Sequence, residues 1–347
     1  MNILISPSGK LYGSEQVLID YLYYTRLKFS VFVSGNGLLY NELKRKFEKL
    51  DISVFENVRS LYFRIFFLCL TKKVTAVYVN EAGHSKYIFL LARFFKKVKF
   101  VIHVRLIEDT SLGRSPRSIR TNNITVFSVS RFISAKIPVK NTQLYDPYPF
   151  EKDETLIRTR RPDVLVVGII GRLSVSKGID TIIQLLELVS INNLTDKINF
   201  QFYGDITDDV DSFRSSKLKA FGNAGLNGFE SEKEKIYNSI DCVLHASPVE
   251  PLGRIFLEAI DFNKPFIGID NGGIGEIGSL LNLDTLLVDP GQDSTTQELL
   301  EKLILLHGSY DTFVNMVFSK KDLAKEIFST EKYAAKIDSF LNQGSDN

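Results

Sequence analysis

Eleven short runs of Val, Ile, Leu and Phe, spread along the whole chain and separated by amphipathic stretches, leave this sequence few architectures. They fall at 2–6, 29–34, 52–56, 76–80, 99–104 and 124–130, then at 164–171, 198–204, 242–247, 265–270 and 285–289. Helical patterns lie between them, as in "GSEQVLIDYLYY" (13–24), "GIDTIIQLLELVS" (178–190) and "STTQELLEKLILLHG" (294–308). Strands this apolar, alternating with helices, imply parallel sheets covered on both faces and hence an α/β fold. One sheet rarely takes eleven strands, so two doubly wound domains are expected. The boundary is placed in "YDPYPFEKDETLIRTRRPD" (145–163), which is rich in proline and charge and precedes a fresh strand at Val164. The expected domains are therefore 1–150 and 151–329, with a helix over about 330–347 returning to the first. Asp293 or Ser294 is the expected N-cap of the helix that follows the last strand, and the tail "GSDN" is expected to fray.

The bulk numbers narrow the class. Apolar content of 44% and charged content of 24% are those of an ordinary globular protein. No apolar run approaches the ~18 residues of a membrane span, and "IFFLCL" (65–70) is the nearest. The opening "MNILISPSGK" reads as a first strand and not as a signal peptide. Two cysteines, Cys69 and Cys242, form no disulfide framework or zinc spacing, which fits a reducing, cytoplasmic compartment. A net charge of +2 conceals a polar split. Residues 1–150 carry 23 Lys and Arg against 10 Asp and Glu, whereas the remainder carries 20 against 31. Three stretches of the basic half, 41–50, 61–73 and 90–100, mix lysine and arginine with bulky apolar residues. They suit an anionic membrane surface, bound peripherally, or are core helices with snorkelling lysines. Nothing in the pattern points to nucleic acid.

Three strand-to-helix turns carry chemistry. "GIIGRLSVSKGIDTII" (168–183) sets Gly171, Arg172 and Lys177 where open α/β sheets bind ligands; guanidinium and ammonium there suit a diphosphate, or form a basic surface turn. The stretch is neither a dinucleotide fingerprint nor a P-loop. "EPLGRIFLEAI" (250–260) places Glu250 before a helix and Glu258 a turn inside it, with Ile255–Leu257 and Ala259–Ile260 as the buried side. The N-terminus of that helix, near Leu252 and Gly253, can hold a phosphate, leaving the two carboxylates for sugar hydroxyls; otherwise they are two solvated acids on a surface helix. "DNGGIGEI" (270–277) follows a strand, and Gly272 and Gly273 permit a close backbone approach or a plain turn.

G-R-x-x-x-x-K-G (171–178), E-P-x-G-R-x-x-x-E (250–258) and G-G-x-x-E (272–276), in this order, resemble the donor half of the GT-B glycosyltransferases, specifically the retaining glycosyltransferase family 4 (glycosyl transferases group 1). The likeness is strongest over about 165–300. In the first half, "LYGSEQVL" (11–18) is similar to the family's glycine-rich first loop, with Tyr12 in place of its first glycine and Gly13 retained. "VIHVRLIED" (101–109) resembles the strand that ends in the family's active-site histidine, which maps to His103. "FSVSRF" (127–132) is similar to the strand before the family's linker, whereas "LYDPYPF" (144–150) departs from its usual Asn-Gly turn.

The resemblance implies two Rossmann-like domains facing across a cleft, with the acceptor on the first and a UDP- or GDP-sugar on the second. It implies that Glu258 holds the ribose, that Glu250 lies against the transferred sugar, that amides near Leu252 and Gly253 meet the phosphates, and that amides after Gly273 contact the donor. Arg172 and Lys177 would neutralise the leaving diphosphate without a metal or other cofactor, and His103 would bind or organise the reacting sugar. Arg105 and Glu108 are weaker candidates, and His84 reads as structural. The expected function is retaining sugar transfer to a glycan, lipid-linked, in bacterial surface polysaccharide assembly, at the inner face of the membrane. Three rival readings stand beside it. "DDVD", with Asp209 and Asp211, would suit a metal-dependent transferase. A sugar-nucleotide epimerase shares the GT-B fold, and a non-catalytic protein could have kept the nucleotide site.

Overall fold

Each of the eleven apolar runs becomes a strand that pairs in parallel with its neighbours, and the strands sort into two sheets. The computed structural model describes residues 1–112, 122–151, 163–291 and 294–342, and the expected cap at Asp293 and the frayed tail lie outside them. The chain divides into two units, Met1–Pro149 with Phe328–Asn347, and Phe150–Ile327.

The first unit contains β1 (Asn2–Ser6), β2 (Phe29–Ser34), β3 (Asp51–Phe55), β4 (Ala76–Val79), β5 (Lys99–Val104), β6 (Ile124–Ser128) and β7 (Thr142–Gln143), in the sheet order β3-β2-β1-β4-β5-β6-β7. The second contains β8 (Leu165–Ile170), β9 (Ile198–Tyr203), β10 (Ala224–Leu226), β11 (Cys242–His245), β12 (Phe266–Ile269) and β13 (Leu287–Val288), ordered β10-β9-β8-β11-β12-β13. β7 and β10 are additions to the sequence reading. Each is an edge strand of two or three residues, "TQ" and "AGL", and needs no long apolar run because one side of it lies open.

The last helix, Thr330–Asn342, belongs to the first unit. Tyr333, Ala334, Ile337 and Leu341 join Leu18, Tyr21 and Tyr78 in its core. Asp338 fixes the register, accepting from the Tyr21 hydroxyl at 2.8 Å, the Thr25 hydroxyl at 2.7 Å and the Arg26 amide at 3.0 Å. The ordering of both sheets reverses beside their first strand, at β1/β4 and at β8/β11. Neighbouring crossovers there depart in opposite directions and leave a crevice at the carboxyl ends of the strands.

Candidate functional site

The crevice between β8 and β11 holds a cavity of about 290 Å³. On one side the chain leaves β8 through Gly171 and Arg172, makes a 3₁₀ turn over Val175–Lys177, and starts the helix Ile179–Ile191. On the other it leaves β11 at His245, runs through Glu250, and starts the helix Arg254–Asp261. That second helix is held down by Phe256, Leu257, Ala259 and Ile260, all buried, with Phe256 stacked on Phe266 at 4.1 Å. Its start is set by Gly253, which has φ +91° and no room for a side chain: a Cβ would meet Ile274 Cδ1 at 2.1 Å. Gly253, Arg254 and Ile255 line the cavity, so the end of the helix toward which its N–H groups point, and where partial positive charge collects, opens onto it.

Two carboxylates stand beside this positive end. Glu250 Oε2 lies 2.5 Å from Lys177 Nζ and 3.3 Å from His245 Nε2. Burial by itself would raise its pKa; the hydrogen bond from His245 and the charge of Lys177 outweigh burial and hold it down at about 2. Glu258 accepts from Lys233 Nζ at 2.7 Å and from the Tyr237 hydroxyl at 3.3 Å. Arg172 completes the rim. A cavity bounded by a helix N-terminus, a guanidinium and an ammonium takes an anion such as a diphosphate. The two carboxylates present oxygens that can accept from hydroxyl groups.

The depressed pKa of Glu250 predicts a pH effect. Its folded value, about 2, lies below the ordinary 4.5, so its contribution is fully present above pH 4.5 and is lost as pH falls toward 2. Glu250→Gln should remove on the order of 2–3 kcal/mol of that pH-dependent stability. Urea unfolding between pH 5 and pH 2 checks it: equal slopes in both proteins would refute the pairing.

Around this cavity the structure gathers Gly171, Arg172, Lys177, Glu250, Gly253 and Glu258. The other expected site residues lie elsewhere. Leu252 is buried and packs beneath Gly273, whose Cβ would come within 2.2 Å of the Leu252 Cα. The Gly273 amide donates to the Glu250 carbonyl at 2.8 Å and ties the two loops together. Gly13 opens the helix Gly13–Tyr24 in the first unit.

His103 lies in the first unit, apart from this cavity. Its ring is fully buried in the first unit, with Nδ1 3.2 Å from the Tyr333 hydroxyl and 3.4 Å from that of Tyr78. Burial, with the charge of Arg105, keeps it neutral. It is a buried histidine beside the Arg105–Asp146 ion pair. Arg105 anchors that pair: Nε donates to both Asp146 oxygens at 2.9 and 3.0 Å, and Nη2 to the Tyr333 hydroxyl at 2.7 Å.

The acidic run "DDVD" is also occupied. Asp209 accepts from the Val175 amide at 3.0 Å, bracing the Lys177 turn, and Asp211 caps the helix Ser212–Ala220 through the Arg214 amide at 2.8 Å. His84 packs against Tyr62, with burial lowering its pKa to about 4. Sequence reasoning missed His245, Lys233 and Tyr237. Only His245 carried a signal, as a histidine at the carboxyl end of an apolar strand five residues before Glu250.

The family model described as glycosyl transferases group 1 matches residues 150–316, just under half of the chain. No curated protein matches the sequence significantly. Among solved structures, HepE of Anabaena in complex with UDP and glucose superposes with a TM-score of 0.77 at 18% identity, over 99% of this chain and 100% of that one. A glycosyltransferase from Rickettsia africae gives 0.76 at 15% identity, over 100% and 99%. Sucrose-phosphate synthase from Thermosynechococcus elongatus gives 0.71 at 12% identity, over 99% and 98%. These likenesses establish the fold, two parallel α/β units as in the GT-B glycosyltransferases.

Proposed function

We propose that the chain is a retaining group 1 glycosyltransferase that moves a hexose from a UDP- or GDP-sugar to a glycan acceptor, lipid-linked, in bacterial surface polysaccharide assembly. The observation that carries this reading is the convergence of a helix N-terminus, Arg172, Lys177, Glu250 and Glu258 on one cavity at the β8/β11 switch point. The match of residues 150–316 to the group 1 model supports it, as does the presence of UDP in a structurally similar chain.

In this reading the diphosphate sits against the first turn of the helix Arg254–Asp261, where backbone N–H groups and partial positive charge meet phosphate oxygens. Glu258, a turn further in, accepts the ribose hydroxyls. Glu250 accepts hydroxyls of the sugar, and its depressed pKa keeps it ionised at any physiological pH. As the glycosidic bond breaks, negative charge grows on the leaving diphosphate. Arg172 and Lys177 stabilise that charge in place of a metal, and they do so more strongly in the transition state than in the ground state. Retention of configuration follows from the family resemblance, with attack on the same face through an oxocarbenium-like state.

The deciding experiment is thermal unfolding in EDTA with UDP, GDP, ADP and their sugars. A bound nucleotide at about 100 times its dissociation constant adds about 2.7 kcal/mol, a rise of roughly 5–10 °C. One base series should stabilise the protein without metal, and the corresponding nucleotide sugar should then support transfer to a glycan. Interconversion of free nucleotide sugars would move the assignment to an epimerase. Tight nucleotide binding with no turnover on any acceptor would leave a binding protein.

A further inference from the structure

The helix Val58–Thr71 is apolar on both sides, and only one side is covered. It starts at Asn57, whose side chain accepts from the amides of Arg59 and Ser60. Leu61, Tyr62 and Ile65 face the core of the first unit. Phe63, Phe67 and Leu70, at positions i, i+4 and i+7, form a second stripe that faces outward. A helix this apolar all round is normally buried. The neighbouring helix Ser85–Phe94 repeats the arrangement, with Ile88, Phe89, Leu91 and Ala92 inward or tightly packed and Leu90 and Phe94 outward. Each of these five outward side chains is between 47% and 67% exposed.

The two stripes form one plate. Tyr62 stacks on Tyr87 at 4.7 Å, and Phe66 meets Phe94 at 5.9 Å and Phe95 at 5.1 Å. The helices therefore run side by side in the same direction. The lysine pairs that follow them, Lys72–Lys73 and Lys96–Lys97, fall at the same end of the plate and are all exposed. Residues 57–107 contain ten Lys and Arg and a single acid, Glu81, whose side chain is engaged by Ser14 at 2.5 Å.

We propose that this plate is a membrane-docking surface, inserting Phe63, Phe67, Leu70, Leu90 and Phe94 into the headgroup boundary of an anionic bilayer. The charge pattern selects this occupant. A second copy packed on the same face would set one basic rim against another, whereas an anionic leaflet is complementary to it. The exposed phenylalanines and leucines are the side chains an interfacial helix buries at the acyl boundary. Of the three basic stretches, 61–73 and 90–100 build the plate. The third, 41–50, lies mostly in the helix Leu38–Lys46, where Glu42 pairs with Arg45 and Lys46. The inference stands apart from the donor cavity and does not depend on the reaction.

The test is co-sedimentation of the full chain with vesicles of phosphatidylcholine alone, or mixed equally with phosphatidylglycerol. The protein should pellet with the anionic vesicles only. K96E/K97E should weaken partitioning about 30-fold, from roughly five-fold for each lysine near an anionic surface. F67S/F94S should weaken it about 100-fold through lost apolar burial. All these positions are exposed, so both variants should unfold at the wild-type temperature and still respond to nucleotide. Failure of the wild type to bind anionic vesicles overturns the proposal, as does equal binding to both vesicle types. A dimer in sedimentation velocity that F67S/F94S dissolves, without vesicle binding, would assign the plate to a second copy instead.

Discussion

If the proposed transfer holds, Lys177→Ala should lower turnover by about 100- to 1,000-fold, the loss typical of removing one group aimed at transition-state charge. Two effects act in the same direction. The ammonium that would neutralise the leaving diphosphate is gone, and Glu250 loses its ion-pair partner and is left beside the phosphate site with His245 still next to it. A lone carboxylate there repels the donor, so KM should rise while kcat falls. Adding Glu250→Gln to Lys177→Ala removes the repulsion and should recover nucleotide affinity without recovering kcat. Steady-state kinetics with the stabilising nucleotide sugar separates the two effects. Turnover of Lys177→Ala within a few-fold of wild type would sink the assignment of Lys177 to the leaving group.

Asp146→Ala should cost about 3–5 kcal/mol of stability, the range for breaking a buried ion pair from one side. Arg105 is buried and holds its proton firmly: burial would lower its pKa, and the adjacent Asp146 more than reverses that. Without Asp146 the guanidinium's hydrogen bonds among the described residues go to neutral groups of Tyr333 and Asn80 in a buried setting. Tyr333 sits on the helix Thr330–Asn342, so the loss should loosen that helix first, seen as faster amide exchange over 330–342. The expected fall in unfolding temperature is roughly 10 °C. Replacing both partners with apolar residues, Arg105→Met with Asp146→Leu, should cost less than Asp146→Ala because no unpaired charge remains. A loss below about 1 kcal/mol for Asp146→Ala would show that water reaches the pair and that the network is not structural.

Arg105 also shows where sequence reading loses hold. Its position after a strand, near His103, made it a weak catalytic candidate, and the same position places it in the core once Asp146 folds over it from 41 residues away. The second glycine motif shows the same limit. Gly273 was recognisable as a close-approach position, but whether its amide faced a ligand or another loop depended on the path of the chain through Glu250. His245 has a partner that the sequence does not disclose, since nothing in "CVLHAS" reveals that its ring faces Glu250.

What the sequence by itself determined was local and periodic. Apolar runs alternating with amphipathic stretches dictate parallel strands under helices, because each strand must be covered on both faces. A proline and glycine before an apolar 3.6-residue pattern dictate where the helix Arg254–Asp261 begins, and with it the positive end that faces the cavity. Only the tertiary structure decided which charges meet, as with Lys177 and Glu250 or Arg105 and Asp146, and which apolar stripe stays uncovered, as on Val58–Thr71. The physical reason is range. Backbone sterics and side-chain periodicity act over a few residues and can be read from spacing. Pairing and burial depend on distances between segments far apart in the chain, and those are fixed only when the sheets have ordered their strands and the helices have packed against them.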